Sequence, residues 1–305
     1  MGNEIKQGTR SRGTSGLGRV LFRRVEPYLY LIPAFALLFL FTYYPFVKNT
    51  VLSFFTVNRY REVQRFAGFA NYIRVLKDPL FIKSIGNTLI YVGVTVPVSI
   101  LFGFILALLA RKKHKISIAY EALFALSMAV SASIVAMIFQ LAFNPSMGII
   151  NKTFGTSVNW LNDGNTALLS LMIIQVWSNI GYNFIFLFSA LRGLSEEVLE
   201  GATLDGAVGR KLLSRIIIPL VSPTLLFLLV KDIAYTMTTA SFVIILTNGD
   251  PNGATETIMS YIYSKAIVGT NYNAAFAATM VGFVLSAVMM ALSLILEQKK
   301  VSYDQ

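Results

Sequence analysis

The sequence contains no cysteine and only one histidine among its 305 residues. The lack of thiols excludes disulfides, cysteine nucleophiles and cysteine-ligated metals. The one histidine, His114, lies in a basic cluster with Arg111, Lys112, Lys113 and Lys115, and we interpret it as a surface residue. Because zinc and haem are held mainly by His and Cys, neither is expected here, and no cofactor is predicted.

Charge is also scarce. Only 13% of the residues are Asp, Glu, Lys or Arg, whereas a soluble domain has about 25%. Hydrophobic residues make up 55% and occur in long uncharged runs. This distribution predicts that most of the chain lies in a membrane rather than around a soluble core.

Six of the apolar runs reach the length of a transmembrane helix, which needs about 20 such residues. They cover approximately 28–47, 87–110, 118–143, 167–191, 217–245 and 274–296. The sequence therefore predicts an all-α integral membrane protein with about six transmembrane helices, in a single domain over 27–305. Residues 1–26 are polar and basic, and are predicted to be a flexible cytoplasmic tail.

The basic residues lie mainly between the apolar runs, where they act as orientation signals. With the N-terminus inside, sixteen of the 26 Lys and Arg residues lie in inner segments, nine lie in outer ones, and Lys231 is within a run. This bias predicts that both termini are cytoplasmic. The arginines of the first outer segment oppose the bias: Arg59, Arg61, Arg65 and Arg74.

The segment between the fourth and fifth runs has the pattern of a short helix followed by a turn. Ser195 is a favourable N-cap, and the acidic Glu196 and Glu197 suit the positive end of a helix. The helix is predicted to reach about Leu204, and Gly206 allows the chain to turn. Composition alone leaves two interpretations open, an ordinary interfacial loop or a docking element for another surface.

This segment resembles the EAA loop of ABC importer permeases, E-A-A-x-x-D-G-A-x5-F-x-x-I-x-L-P. The matching positions are Glu200, Gly201, Ala202, Asp205, Gly206, Ala207, Leu213, Ile216, Ile218 and Pro219. Gly201 replaces an alanine of the pattern, and Leu213 replaces the phenylalanine. The resemblance implies that residues 192–219 form a coupling loop seated in a cleft of an ATPase subunit. Its contact residues would be Glu200, Gly201, Ala202, Asp205, Gly206 and Ala207.

Further segments are similar to the same family. Residues 66–72 resemble F-x-G-L-x-N-Y, Asn87 and Thr88 open the second run as in the family, and 246–251 resemble L-T-G-G-G-P. These matches identify the carbohydrate-type branch, specifically the first permease subunit for maltose-like sugars and glycerol 3-phosphate.

That resemblance implies an ABC type I importer permease fold in a prokaryotic plasma membrane. It also implies four kinds of partner: a second permease subunit, two ATPase subunits, an extracytoplasmic solute-binding protein and the surrounding lipid. The expected solute is a sugar, an oligosaccharide or a glycerol 3-phosphate-like compound.

Polar residues in the fourth run mark a candidate pathway. Gln175, Asn179, Tyr182 and Asn183 are spaced so that they lie on one face of a helix. Polar side chains within a membrane usually face a bundle interior or a cavity. The stripe could line the translocation pathway, or it could join helices by hydrogen bonds.

The fifth run contains adjacent charges, Lys231 and Asp232, with Tyr235 on the lysine's face. A lysine at the centre of a membrane helix costs roughly 2.5–3.5 kcal/mol on insertion scales. Adjacent residues do not face each other on a helix, so we expect that these two charges do not simply neutralise one another. Lys231 could face the pathway and attract an anionic group, or it could pair with a carboxylate or carbonyl of another subunit.

Other functions are weighed by what they require. No GxxxxGK[ST] motif occurs, so the chain has no P-loop of its own. An autonomous secondary transporter or channel would be favoured by an ion site or inverted repeats, and an intramembrane enzyme by a paired nucleophile and base. The sequence shows none of these patterns. It therefore predicts a non-enzymatic importer subunit, with an autonomous transporter or channel as the alternative.

Overall fold

The structure is a computed structural model that describes residues 28–300 except 112–120, 122, 125 and 127. The predicted tail, residues 1–26, and His114 lie outside the described residues. The described chain falls into two units, one ending at Leu52 and the other beginning at Ser53.

The first predicted span is confirmed as a helix and is longer than expected. Helix α1 covers Tyr28–Ser53, with a π-helical stretch at Phe39–Tyr43. The prediction ended the span at residue 47, next to the charge of Lys48, but the helix continues for another one and a half turns.

A small antiparallel hairpin follows, which the sequence did not indicate. Strand β1 (Phe55–Val57) pairs with β2 (Val63–Phe66), with Phe55 opposite Phe66. Helix α2 (Ala70–Leu76) comes next. The Nδ2 atom of Asn71 donates hydrogen bonds to the backbone oxygens of Ser53 and Phe55, at 3.0 and 2.9 Å. This amide therefore joins α2 to the start of the hairpin.

The second span, helix α3, runs over Pro79–Ala110 and begins two turns before the predicted start. Asp78 is its N-cap and accepts a hydrogen bond from the Leu80 amide at 3.0 Å. Pro79 occupies the first helical position, where its missing N–H costs nothing. These local signals extend the helix beyond the apolar run that marked it in the sequence.

The third predicted span, 118–143, is wrong as a single continuous helix. The described residues between 121 and 129 are helical, and a separate helix α4 covers Ala132–Ala142. Between them Ser131 has an extended backbone, and its side chain accepts a hydrogen bond from the Ile134 amide. An N-capping serine starts a new helix because its hydroxyl satisfies an amide that has no partner in the helix.

After the short helix α5 (Ile149–Phe154), the fourth span is confirmed as helix α6 over Ala167–Arg192. It packs closely against α3. A Cβ atom added to Gly103 of α3 would lie 2.7 Å from the Cβ of Asn183. The absence of a side chain at this glycine therefore sets how near the two helices come.

Helix α7 (Glu196–Leu204) precedes the fifth span. That span starts with a short helical turn and a π-helical stretch and then becomes α8 (Ile218–Thr238). Thr239 has an extended backbone and ends α8, and α9 (Ser241–Leu246) follows. The predicted fifth span over 217–245 lies within the apolar helical stretch Arg210–Leu246 and is interrupted at this break.

The last helices of the described residues are α10 (Ile258–Tyr263) and α11 (Tyr272–Lys300), the sixth predicted span. Among the described residues, five helices are long and apolar enough to cross a membrane. They are Tyr28–Ser53, Pro79–Ala110, Ala167–Arg192, Arg210–Leu246 and Tyr272–Ile295.

The main core lies between α3, α6 and α8, with one residue contributed by α7. Its buried members are Phe104, Ala107, Ala110, Phe184, Leu187, Phe188, Leu191, Leu199, Ile217, Val221 and Leu228. Burial of a Val, Leu, Ile or Phe side chain contributes about 1.5–3 kcal/mol where the alternative is water, and less where the alternative is lipid. The core therefore ties α7, which is otherwise exposed, to three long helices.

Candidate functional site

Residues 196–209, α7 and the turn that follows it, form what we call the 196–209 hairpin. Glu196 and Glu197 lie in the first turn of α7, as predicted. Ser195 occupies the N-cap position, but its side chain accepts no capping hydrogen bond from the described residues. The two carboxylates of the first turn interact favourably with the positive end of the helix dipole.

The end of α7 explains the need for glycine at position 206. Gly206 has a φ of +81°. Its amide donates to the Thr203 oxygen at 3.0 Å, and the Ala207 amide donates to the Ala202 oxygen at 2.9 Å. This pair of bonds is a Schellman motif, which needs a left-handed residue just past the helix.

All six residues that the resemblance implied as contact residues lie in this hairpin. Glu200, Gly201, Asp205 and Gly206 are exposed, while Ala202 and Ala207 are partly buried. Three large apolar side chains beside them are also exposed: Val198, Leu204 and Val208. The hairpin thus presents small and apolar groups together, as a docking surface does.

Sequence analysis did not single out the residue that anchors the hairpin. Leu199 is 7% exposed and packs in the core with Phe104 and Ile217. Its signal in the sequence was weak, because the same short helix carries a second leucine, Leu204, which is exposed. One buried leucine fixes the position of a surface that is exposed on its other sides.

A cavity of about 470 Å³ lies beside the hairpin. Its charged lining residues are Arg111, Arg192, Glu196 and Glu200. Arg192 Nη1 also pairs with Glu121 Oε1 at 2.7 Å, at a partly exposed position. The hairpin's acidic face therefore adjoins two arginines.

A second site lies inside the helix bundle, and we call Ser99, Asn183, Lys231 and Asp232 the interior polar cluster. Asp232 is fully buried. Its Oδ2 accepts from Asn183 Nδ2 at 2.8 Å and from Ser99 Oγ at 3.3 Å. Its Oδ1 accepts from Lys231 Nζ at 3.0 Å. Three donors from three helices thus converge on one carboxylate.

The expectation that Lys231 and Asp232 do not neutralise one another is wrong. Adjacent side chains diverge at their Cβ atoms, but the lysine side chain is long enough to bend back to its neighbour's carboxylate. A buried carboxylate without a partner is very costly, so a bent lysine is favoured over two separate charges. Sequence analysis also missed Ser99. The sequence marks it only as a polar residue within the apolar second run.

The predicted stripe on α6 has two roles. Asn183 belongs to the interior polar cluster, while Gln175 takes part in a chain of hydrogen bonds. Tyr91 donates its hydroxyl to Gln175 Oε1 at 3.3 Å, and Gln175 Nε2 donates to Asn179 Oδ1 at 3.0 Å. Gln175 therefore joins α6 to α3 through Tyr91, and it also bonds to Asn179 within α6.

The other predicted pathway residues surround a cavity of about 300 Å³. Asn179 and Tyr182 of α6 and Lys231 and Tyr235 of α8 all contribute to its wall. The remaining lining residues are Met128, Val130, Ala132, Val135, Ser178 and Phe242. The structure therefore brings four of the six predicted residues to one cavity, and Gln175 and Asn183 pack behind it.

A third polar group lies at the start of α3. Asp78 Oδ2 accepts from the Tyr261 hydroxyl at 2.8 Å and lies 3.5 Å from Lys265 Nζ. Burial by itself would raise the pKa of Asp78, but the hydrogen bonds from Tyr261 and the Leu80 amide, together with the Lys265 charge, lower it below its usual value. The cap is therefore held as a carboxylate.

In the nearby loop, burial raises the pKa of Glu256 and the Asp250 charge raises it further. The hydrogen bond from Ser260 and the charge of Lys265 oppose this shift. The backbone oxygen of Glu256 accepts a hydrogen bond from Asn87 Nδ2 at 2.8 Å. This loop is thereby fastened to α3.

Comparison with known proteins agrees with this architecture. The probable ABC transporter permease protein YurN of Bacillus subtilis is 28% identical over 80% of this chain and 86% of its own length. The sn-glycerol-3-phosphate transport system permease protein UgpA of Agrobacterium fabrum is 28% identical over 92% of this chain and 97% of its own.

Among solved structures, a bacterial ABC transporter involved in the import of the acidic polysaccharide alginate has a chain with the same fold. The TM-score is 0.81 at 22% identity, and the match covers 94% of this chain and 99% of that one. The predicted type I importer permease fold is confirmed.

A family model is also matched, by residues 99–302, which include α6, the 196–209 hairpin and α8. The family is described as the binding-protein-dependent transport system inner membrane component. The chain belongs to this family and is a multi-pass inner-membrane permease subunit of an ABC importer.

Proposed function

We propose that this chain is the first permease subunit of an ATP-driven importer, coupled to its ATPase through the 196–209 hairpin. The observation that carries the proposal is the Schellman turn at Gly206 on a helix anchored by Leu199. A rigid, exposed hairpin fastened to α3, α6 and α8 can pass a movement of the ATPase directly to the spans.

The contact residues of the hairpin would be Glu200, Gly201, Ala202, Asp205, Gly206 and Ala207. The small residues allow close approach of a partner's backbone, and Leu204, which is 89% exposed, supplies apolar area for docking. This assignment places the hairpin and both termini in the cytoplasm.

The complete importer would contain a second permease subunit, two ATPase subunits and an extracytoplasmic solute-binding protein. ATP hydrolysis would come from the ATPase subunits, and this chain would carry out no bond chemistry. Support comes from the family description and from a structure of the alginate transporter in complex with an alginate pentasaccharide-bound periplasmic protein.

The solute would be a sugar, an oligosaccharide or a glycerol 3-phosphate-like compound. Support comes from the name of the Agrobacterium relative and from the cavity, whose two tyrosines and amide suit a hydroxylated solute. Closure of the ATPase around ATP would favour one of two arrangements of the spans by differential contacts.

The absence of cysteine from the sequence gives a clean test of this assignment. Leu204→Cys introduces one exposed thiol on the hairpin, and Lys152→Cys introduces one on α5, on the predicted opposite side. We expect an impermeant maleimide to label Leu204→Cys only in inverted vesicles and Lys152→Cys only in intact spheroplasts. In the co-expressed importer, Leu204→Cys should cross-link to the ATPase.

Labelling of Leu204→Cys from outside the cell would contradict the proposal. So would a failure to cross-link to the ATPase in a complex that co-purifies. The alternative, an autonomous transporter or channel, would instead transport solute as the purified single chain.

A further inference from the structure

The 300 Å³ cavity between α6 and α8 has a polar wall that includes the ammonium of Lys231, the amide of Asn179 and the hydroxyls of Ser178, Tyr182 and Tyr235. Lys231 projects into it with a side chain that is 26% exposed. Its ammonium has three N–H groups, of which Asp232 Oδ1 takes one. The other two remain for a ligand.

Two tyrosine rings hold the ammonium at the cavity. Lys231 Nζ lies 3.6 Å from the centroid of the Tyr182 ring and 5.4 Å from that of Tyr235. Cation–π contacts of this kind stabilise a charged lysine without consuming an acceptor. The ammonium is therefore positioned by one carboxylate and two rings.

Asn179 supplies a second donor. It is 3% exposed, and its Nδ2 is buried without a hydrogen-bond partner among the described residues. Its Oδ1 is already used, since it accepts from Gln175 Nε2. The Tyr91 hydroxyl lies 3.3 Å from Gln175 Oε1 and 3.4 Å from the Leu171 backbone oxygen, and in this arrangement the unused group of Asn179 is its amide NH₂.

Ser178 adds a third group in the same wall, because its Oγ is also buried without a partner among the described residues. A buried polar atom without a partner costs about 1–3 kcal/mol, and such a cost is relieved when a ligand supplies the bond. Two such atoms beside one cavity, next to an ammonium, therefore point to a ligand rich in acceptors.

The nearby carboxylate of Asp232 offsets part of the attraction of Lys231 for an anion, but it does not itself occupy the cavity. Both oxygens of Asp232 are occupied by Lys231, Asn183 and Ser99. Asp232 itself does not line the cavity. The apolar part of the lining is formed by Met128, Val130, Ala132, Val135 and Phe242. An apolar wall lowers the local dielectric constant and strengthens the attraction between an ammonium and an anion.

We propose that this cavity binds an anionic group of the transported solute, a phosphate or carboxylate, through Lys231 Nζ and Asn179 Nδ2, with Asp232 as a positioning residue. The inference rests on the proposed function and narrows its solute class to the anionic members, which excludes neutral sugars and oligosaccharides. A neutral sugar would stack on the tyrosines and accept hydrogen bonds from the ammonium, whereas an anion adds the attraction between opposite charges.

Binding to the full-length chain in phosphatidylcholine nanodiscs tests this by equilibrium dialysis, without ATP or an ATPase. The probes form two matched pairs: glycerol 3-phosphate with glycerol, and glucuronate with glucose. We expect saturable binding of at least one anion, with a Kd about tenfold or more below that of its neutral partner, as for a charge-assisted hydrogen bond.

Variants locate the binding. Lys231→Gln by itself leaves Asp232 unpaired, so the double variant Lys231→Gln/Asp232→Asn is used, which keeps a neutral hydrogen-bonded pair. It should abolish the preference for the anion, and Asn179→Leu should weaken anion binding several-fold. The matched control, Lys152→Gln on exposed α5, should bind as the wild type does.

Equal binding of anions and their neutral partners would overturn the proposal, as would the absence of saturable anion binding or an unchanged preference in the double variant. A second measurement in nanodiscs that contain phosphatidylglycerol distinguishes a site for the solute from a site for a lipid headgroup. Unchanged solute binding there supports the proposal, and loss of binding by competition would assign the site to lipid instead. Because this assay requires no ATPase, its failure leaves the hairpin cross-linking result standing.

Discussion

The 196–209 hairpin and the interior polar cluster are built on opposite principles. The hairpin is exposed, and its defining hydrogen bonds join residues at most five positions apart. The interior polar cluster lies within the helix bundle. One of its central hydrogen bonds joins Ser99 to Asp232, which are 133 positions apart in the sequence. Local sequence is therefore sufficient to specify the first, whereas the second exists only when three long helices have packed.

The strongest test of this difference is removal of the acceptor at the centre of the interior polar cluster. Asp232→Leu would leave Lys231 and Asn183 without their carboxylate, and breaking a buried ion pair from one side costs about 3–5 kcal/mol. We expect a large drop in the thermal denaturation midpoint of the detergent-purified chain. The substitution should not disturb the local hydrogen bonds of the 196–209 hairpin.

The double variant Lys231→Met/Asp232→Leu is the control for that experiment. Replacing both partners with apolar groups removes the unpaired charge, so most of the stability should return. A double variant as unstable as Asp232→Leu would show that the ion pair is not the reason for the loss.

A second test separates helix packing from helix formation. Gly103→Ala would place a methyl group 2.7 Å from Asn183 Cβ and 3.1 Å from that residue's backbone carbon. Overpacking of this kind costs about 1–3 kcal/mol. Gly93→Ala, on the same helix with no atom within 4 Å, should cost nothing. Equal thermal midpoints for the two variants would refute the close approach of α3 and α6.

The third test concerns the hairpin and separates stability from coupling. Gly206→Val and Gly155→Val both place a β-branched residue at positive φ, +81° and +62°, with open space around the Cβ. Each should lose about 1–2 kcal/mol through backbone strain. Only Gly206→Val should also abolish solute-stimulated ATP hydrolysis by the assembled importer, because only its turn belongs to the proposed ATPase-docking surface. Loss of coupling in Gly155→Val as well would point to a general folding effect.

The smallest expected effect is at Asp78, which caps the helix that carries Ser99. Its pKa is lowered in the folded chain, so its charge stabilises the fold above the unfolded value of about 3.8 and stops doing so as the pH falls through the folded pKa. Asp78→Asn keeps a capping side chain but removes the charge, and should cost about 0.2–1 kcal/mol at neutral pH.

Thermal midpoints of the wild type and Asp78→Asn, measured from about pH 6 down to about pH 3, check that sign. The difference between the two should shrink as the medium becomes acidic. A difference that grows on acidification would mean that the carboxylate destabilises the fold.

Several elements were predictable from long apolar runs and from residues that favour helix ends and turns. The spans of α1, α6 and α11 follow from composition, and α7 with its turn follows from Glu196, Glu197 and Gly206. Where the sequence failed, a local hydrogen bond or a distant contact decided the outcome. Ser131 splits the third span by capping a new helix, and Asp78 extends the second one beyond its apolar run.

The sequence by itself determined that this chain is a membrane protein with a short helix and a glycine turn before its fifth span, because hydrophobicity and turn chemistry act over a few residues. The family came from the resemblance of that segment to the EAA loop of ABC importer permeases. Only the tertiary structure decided that Lys231 bends to Asp232, and that Ser99 and Asn183 meet the same carboxylate. The physical reason is that a charge in an apolar bundle takes whichever partners packing brings within about 3 Å. Those partners lie on helices that are far apart in the chain.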